Sequence, residues 1–144
     1  MHLLVTTPGE ISDGSQAVDL AQSPGDIIVL SAAASDLAML SAARERLPGY
    51  GPTLRFANVL QLGHNMSVDL YLDKTVAKAK LVVVRLLGGV GYWPYGAEQL
   101  NILCRQQGIH LAILPGDDQP DPELTETSTL PIQSCHRLWQ YFVQ

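Results

Sequence analysis

The sequence predicts an α/β domain: a doubly wound, mostly parallel five-stranded sheet with helices on both faces. Short apolar runs rich in β-branched residues alternate with segments whose apolar residues recur at helical spacing. Several of the runs are apolar at consecutive positions, as in strands that are covered on both faces. The 144 residues also fit a single domain, for which roughly 150 residues is ordinary. We therefore expect residues 1–144 to form one domain of the flavodoxin-like or Rossmann-like class.

The predicted strands are residues 2–6, 26–30, 54–58, 80–87 and 110–114. Residues 16–21, between the first two strands, show a short stretch of helical spacing. A longer helix is predicted over residues 35–47, with Ser35 as its N-cap and Pro48 and Gly49 ending it. The segments between these strands thus have the pattern of crossover helices, and such crossovers are right-handed in a parallel sheet.

Three further helices are predicted in the second half of the chain. One covers residues 67–79, with its first residue or Asn65 as the cap. The next covers residues 95–107, and Gly108 follows it at the position that favours a left-handed residue. The last covers about residues 131–143 and is expected to bury Leu138, Trp139 and Phe142 against the sheet.

Composition and charge exclude several classes of protein. The net charge of -5 and the pI near 5.1 have the wrong sign for binding a nucleic acid backbone. No apolar run approaches the roughly 18 residues of a membrane span, and the N-terminus lacks the features of a signal peptide, so a cytoplasmic location is expected. Cys104 and Cys135 are isolated in the sequence and are interpreted as buried thiols.

Charged residues are unusually few. They make up 16% of the chain, where about 25% is typical. Two interpretations are open: part of the surface is covered by other protein, or uncharged polar residues fill it.

The most unusual loop follows the fourth predicted strand. Residues 88–96 combine a glycine-rich turn with three aromatic residues directly before a helix, where free N–H groups favour an anion. The candidate substrate-binding residues are Gly88, Gly89, Gly91, Tyr92, Trp93 and Tyr95. The alternative is structural: the glycines shape a tight turn, and the aromatic rings complete the core. The glycine spacing is not that of a dinucleotide fingerprint, and the chain contains no ATP-binding P-loop motif.

His64 is the candidate metal ligand, since it lies between the third strand and a helix. It has no Asp, Glu, Cys or second His three or four residues away, so an exposed or capping histidine is the alternative. A third possibility for the whole domain is flavin binding. The segment at residues 6–12 is only loosely similar to a flavodoxin phosphate loop and contains Glu10, which would repel a phosphate.

Several stretches together resemble the N-terminal region of the large subunit of aerobic cobaltochelatases of the CobN type. The stretches are residues 1–9, 66–71, 81–89, 92–96 and 114–118, so the resemblance spans nearly the whole chain. This family is related to the large subunits of magnesium chelatase. Family members are many times longer than 144 residues, so the resemblance implies an N-terminal fragment of a larger chelatase subunit. The form of residues 63–66 departs from the family, where Pro often precedes Met.

The resemblance implies a function in cobalamin biosynthesis. Family members insert cobalt into hydrogenobyrinic acid a,c-diamide, while AAA+ ATPase and accessory subunits, with ATP and Mg, supply the energy. This fragment is expected to bind no cofactor and to be inactive alone. Its expected partners are the remainder of its own chain, those subunits and the corrinoid macrocycle. The alternatives are a noncatalytic docking module that does not touch the substrate and, less favoured, a flavin-binding module.

The resemblance also suggests roles for the candidate site residues. If the loop touches substrate, Tyr92, Trp93 and Tyr95 would provide a stacking surface, and N–H groups around Gly88 to Gly91 would receive a carboxylate of the macrocycle. His64 would then help to steer cobalt.

Overall fold

The computed structural model describes residues 16–143. These residues form a parallel sheet in which β1 (Ile27–Ser31) lies between β2 (Leu54–Asn58) and β3 (Leu81–Leu86), and β4 (His110–Pro115) pairs with β3. In the strand order β2-β1-β3-β4, the chain passes from β1 to β2 on one side of β1. It then crosses back over β1 to form β3 and β4 on the other side. The sheet is therefore doubly wound, with its switch point between β1 and β3.

The described sheet has four strands, where the sequence analysis predicts five. The strand predicted at residues 2–6 lies outside the described residues, as does the segment at residues 6–12 that was compared with a flavodoxin phosphate loop. The other four strands form where predicted, to within one residue at either end. The α/β class is confirmed, whereas the five-stranded, flavodoxin-like sheet is not.

Within the described part of the chain, five α-helices connect and flank the strands: α1 (Ala34–Glu45), α2 (Asn65–Tyr71), α3 (Pro94–Gln107), α4 (Pro122–Thr125) and α5 (Ile132–Phe142). A π-helical turn over Leu72–Val76 extends α2, and short 3-10 turns precede α2 and α3 at Val59–Leu62 and Val90–Tyr92. Gly108 ends α3 with a φ of 69°, in the left-handed conformation that the sequence predicts. Residues 16–21 form no helix.

The predicted N-caps of two helices are wrong. α1 begins one residue before Ser35 and has Ala33 at its N-cap position, with no side-chain capping bond. α2 begins at Asn65 because the Nδ1 atom of His64 accepts a hydrogen bond from the Met66 N–H over 3.1 Å. Ser67, the other candidate cap, is buried and accepts a hydrogen bond from the Val18 N–H instead.

The core lies on both faces of the sheet. On one face, alternate strand residues such as Leu30 and Val84 pack with α2 and α3. On the other, Val29 and Val83 pack with α5, where Trp139 is buried. Covering both faces explains why β3 and β4 are apolar at nearly every position. Within residues 16–143, no helix is long and apolar enough to cross a membrane.

Candidate functional site

The carboxyl ends of the strands meet along one side of the sheet, which we call the carboxyl edge. It consists of the loops after β1 to β4: residues 32–33, 59–64, 87–93 and 116–121. Ligands of open α/β sheets bind at this edge, near the switch point. The predicted site residues Gly88 to Trp93 and His64 are therefore all at, or directly beside, the edge that this fold uses for binding.

The glycine turn after β3 has a backbone that only glycine adopts easily. Gly88 and Gly89 have φ values of 90° and 77°, in the region that disfavours a side chain. Among the described residues, none accepts a backbone hydrogen bond from the N–H of Gly88, Gly89 or Gly91. These three groups are the donors that a bound anion or carbonyl could use.

Trp93 has a structural position. Its side chain is 5% exposed, and its Nε1–H donates a hydrogen bond to the carbonyl of Leu62 over 2.8 Å. The indole lies directly over Gly96, where an added Cβ would be 1.9 Å from the Trp93 Cε2 atom. Trp93 therefore joins the loop after β3 to the loop after β2, and in this conformation its ring offers no surface for stacking.

The two tyrosines of the segment differ from Trp93 in exposure. Tyr92 is 41% exposed and lies against the glycine turn, so its ring is accessible. The hydroxyl of Tyr95 donates a hydrogen bond to Oδ1 of Asp69 over 2.7 Å. This hydrogen bond, followed by burial and the negative charge of Asp69, raises the pKa of Tyr95. Tyr95 thus holds α3 to α2 and directs its hydroxyl away from the glycine turn.

A polar pocket of about 200 Å³ separates the glycine turn from the loop after β4. Gly88 and Gly89 form one wall, and Asp117, Gln119 and Asp121 line the other. Asp121 caps α4, since its Oδ1 accepts a hydrogen bond from the Leu124 N–H. Its Oδ2 faces Gly89, where an added Cβ would approach it to 3.2 Å. The pocket therefore combines backbone donors with a carboxylate acceptor.

His64 has one ring nitrogen engaged. Because Nδ1 accepts the hydrogen bond that caps α2, only Nε2 remains for a metal. Within residues 16–143, no group of three or more His, Cys, Asp or Glu residues is placed to hold a metal ion. Whether His64 binds cobalt stays a prediction.

An ion pair lies beneath the carboxyl edge at the switch point. The Arg85 Nη1 atom, near the end of β3, is 2.6 Å from Oδ2 of Asp36 in the first turn of α1. The same oxygen accepts a hydrogen bond from the Ser31 hydroxyl at the end of β1, over 2.8 Å. The Arg85 guanidinium also lies 4.6 Å from the centre of the Phe142 ring on α5. The sequence analysis does not identify this cluster, although Arg85, the one charged residue inside the apolar run of β3, is a signal for it.

Comparisons with known proteins identify similar sequences. No protein-family model matches this chain. It is 46% identical over all 144 residues to the aerobic cobaltochelatase subunit CobN of Sinorhizobium sp, and 43% identical to that of Pseudomonas aeruginosa. The chain spans only 11% and 12% of the length of these relatives. A solved structure of the catalytic subunit of cobaltochelatase from Mycobacterium tuberculosis matches 80% of this chain and 8% of its own, with a TM-score of 0.60 and 25% identity.

Proposed function

We propose that this chain, which belongs to the CobN family of aerobic cobaltochelatase subunits, acts as the N-terminal domain of such a subunit. The identity of 46% over all 144 residues is the observation that carries the proposal. The whole subunit inserts cobalt into hydrogenobyrinic acid a,c-diamide, and partner AAA+ and accessory subunits hydrolyse ATP with Mg. Cobalt and the corrinoid are substrates of that larger subunit, and this domain contributes one wall of the corrinoid site.

The chemistry of the polar pocket suits such a substrate. A corrinoid diamide carries both amides and carboxylic acids at its periphery, so its site needs hydrogen-bond acceptors as well as donors. The Oδ2 atom of Asp121 is directed to accept from an amide N–H. The N–H groups of Gly88 and Gly89 are available to a carboxylate. Tyr92, exposed beside them, provides the ring surface.

The other predicted residues contribute indirectly. Trp93 and Tyr95 hold the glycine turn in place through Leu62 and Asp69, and they need not touch the substrate. His64 retains only Nε2 for steering cobalt, so any such role requires further ligands from elsewhere in the subunit.

Substitution of Asp121 tests the substrate contact. The protein to use is a CobN-type subunit in which this chain replaces the matching segment, assayed for cobalt insertion with its partner subunits. Asp121→Asn keeps an oxygen to cap α4 but turns an NH₂ group toward Gly89, where it repels an amide donor. We expect the KM for the corrinoid to rise by about tenfold, or about 1.4 kcal/mol of binding.

The matched control is Asp118→Asn, in the same loop but not lining the pocket. It removes the same charge and should leave the KM unchanged. If Asp121→Asn leaves the KM for the corrinoid unchanged, the pocket is not part of the corrinoid site. If the subunit that carries the unmutated chain folds and assembles but inserts no cobalt, the broader proposal is contradicted.

A further inference from the structure

Three of the four loops at the carboxyl edge contain no charged side chain. Residues 32–33, 59–64 and 87–93 include no Asp, Glu, Lys or Arg. Each of the loops that lead into β1, β2 and β3 at the opposite edge does contain charged residues, among them Asp26, Arg46 and Lys78. Three loops of the carboxyl edge thus form a surface without charged residues, whereas the loops into β1, β2 and β3 at the opposite edge carry charges.

These uncharged loops form one surface, which we call the neutral edge. The hydrogen bond from Trp93 to Leu62 joins the loops after β3 and β2, and the Ala32 N–H donates to the Arg85 carbonyl over 3.3 Å. Large apolar side chains project from this surface, with exposed fractions of 40% for Leu60 and 41% for Leu87. Exposed apolar side chains on loops that themselves carry no charge are typical of a protein contact.

We propose that the neutral edge is the surface through which this domain packs against the remainder of a CobN-type subunit, an inference that rests on the proposed function. In the two relatives, the matching segment is 11% and 12% of the chain, so nearly nine-tenths of each subunit is available to cover it. Contacts within one chain need no charges to steer an encounter, and apolar burial alone stabilises them. The polar pocket at Gly88 and Asp121 lies at the rim of this surface, where it stays open to substrate.

The charge pattern disfavours other occupants. A nucleic acid or an anionic membrane requires Lys and Arg side chains, which the neutral edge lacks. A second copy of the chain would bring together two bodies of net charge -5, with no opposite charges at the contact to offset their repulsion.

Hydrogen exchange tests the proposal by comparing the 144-residue chain alone with the same chain inside a CobN-type subunit, in both cases without corrinoid. Peptides covering 59–64 should exchange rapidly in the chain alone and at least about tenfold more slowly in the subunit. Peptides covering 46–53, at the opposite edge, should exchange equally fast in both proteins.

A pair of variants strengthens the test. Leu87→Glu places a charge in the neutral edge and should abolish most of the protection. Leu47→Glu, at a position 57% exposed at the opposite edge, should not. Equal exchange of residues 59–64 in the two proteins would overturn the proposal. So would protection that arises only when corrinoid is added, or protection of the chain alone at high concentration, which would indicate self-association.

The outcomes also separate this proposal from the proposed function. A subunit that inserts cobalt while residues 59–64 stay unprotected overturns the docking surface alone. A subunit whose neutral edge is protected but which inserts no cobalt supports the surface and contradicts the function.

Discussion

Replacing Gly96 by Ala tests the packing that fixes the glycine-aromatic loop. A Cβ at this position would lie 1.9 Å from the Trp93 Cε2 atom and 2.1 Å from its Cζ2 atom. Neither distance is possible between carbon atoms that are not bonded, so the indole must move. The Trp93 ring is nearly fully buried and cannot move without losing contacts and its hydrogen bond to Leu62.

Three energetic effects determine the size of the change. Overpacking a buried site costs about 1–3 kcal/mol. Losing the buried hydrogen bond costs about 1 kcal/mol. Alanine is favoured over glycine within a helix, and this preference offsets at most about 1 kcal/mol of the lost stability. We therefore expect Gly96→Ala to lower the free energy of unfolding by about 2 kcal/mol.

Urea denaturation followed by tryptophan fluorescence measures this loss, and near-UV circular dichroism reports the displaced indole. The control is Gly91→Ala, five residues earlier, where an added Cβ has no atom within 4 Å and φ is not in the left-handed region. It should change stability by less than about 0.5 kcal/mol. Equal stability of Gly96→Ala and the wild type, with an unchanged near-UV spectrum, would refute the account of the loop.

Three further predictions concern ionisable groups. Asp36→Ala leaves the buried Arg85 charge without its partner and should cost about 3–5 kcal/mol in urea denaturation, whereas Asp36→Leu combined with Arg85→Met should cost far less. Burial raises the pKa of Cys104 to about 12, so mass spectrometry should find this thiol unreacted with iodoacetamide at pH 8 until the protein unfolds. Hydrogen bonds from the N–H and hydroxyl of Thr53 lower the pKa of Asp26 below its ordinary value of 3.8. The stability that these hydrogen bonds provide is fully present above pH 3.8 and is lost as the pH falls through the pKa of Asp26 in the folded protein. The difference in melting temperature between wild type and Asp26→Asn should therefore shrink from pH 6 to pH 3.

The strands described by the structure could be predicted because their signal is local. Consecutive apolar residues in β3 and β4 reflect burial on both faces, and the sequence displays this directly. The end of α3 at Gly108 was predictable for the same reason, since a left-handed residue favours glycine. The strand order was not predictable, because it depends on contacts between segments far apart in the chain.

The candidate site residues were expected in loops after the strands, and the structure places them at the carboxyl edge, but the roles of their side chains could not be assigned from the sequence. Trp93 is buried because Gly96, one turn later, leaves room for its ring, and this relation exists only in three dimensions. The cap at His64 was anticipated only as an alternative to metal binding, since Asn65 and Ser67 are commoner capping residues. The pairing of Asp36 with Arg85 joins residues 49 positions apart, which no local pattern reports.

The most direct test of the account is the rate of cobalt insertion by the Sinorhizobium CobN subunit in which this chain replaces the matching segment. The account predicts a kcat within about tenfold of the parent subunit. Replacement by a flavodoxin domain of similar size should give none. If the subunit carrying this chain folds and assembles with its partners but inserts no cobalt, the assignment of this domain to cobalt chelation is wrong.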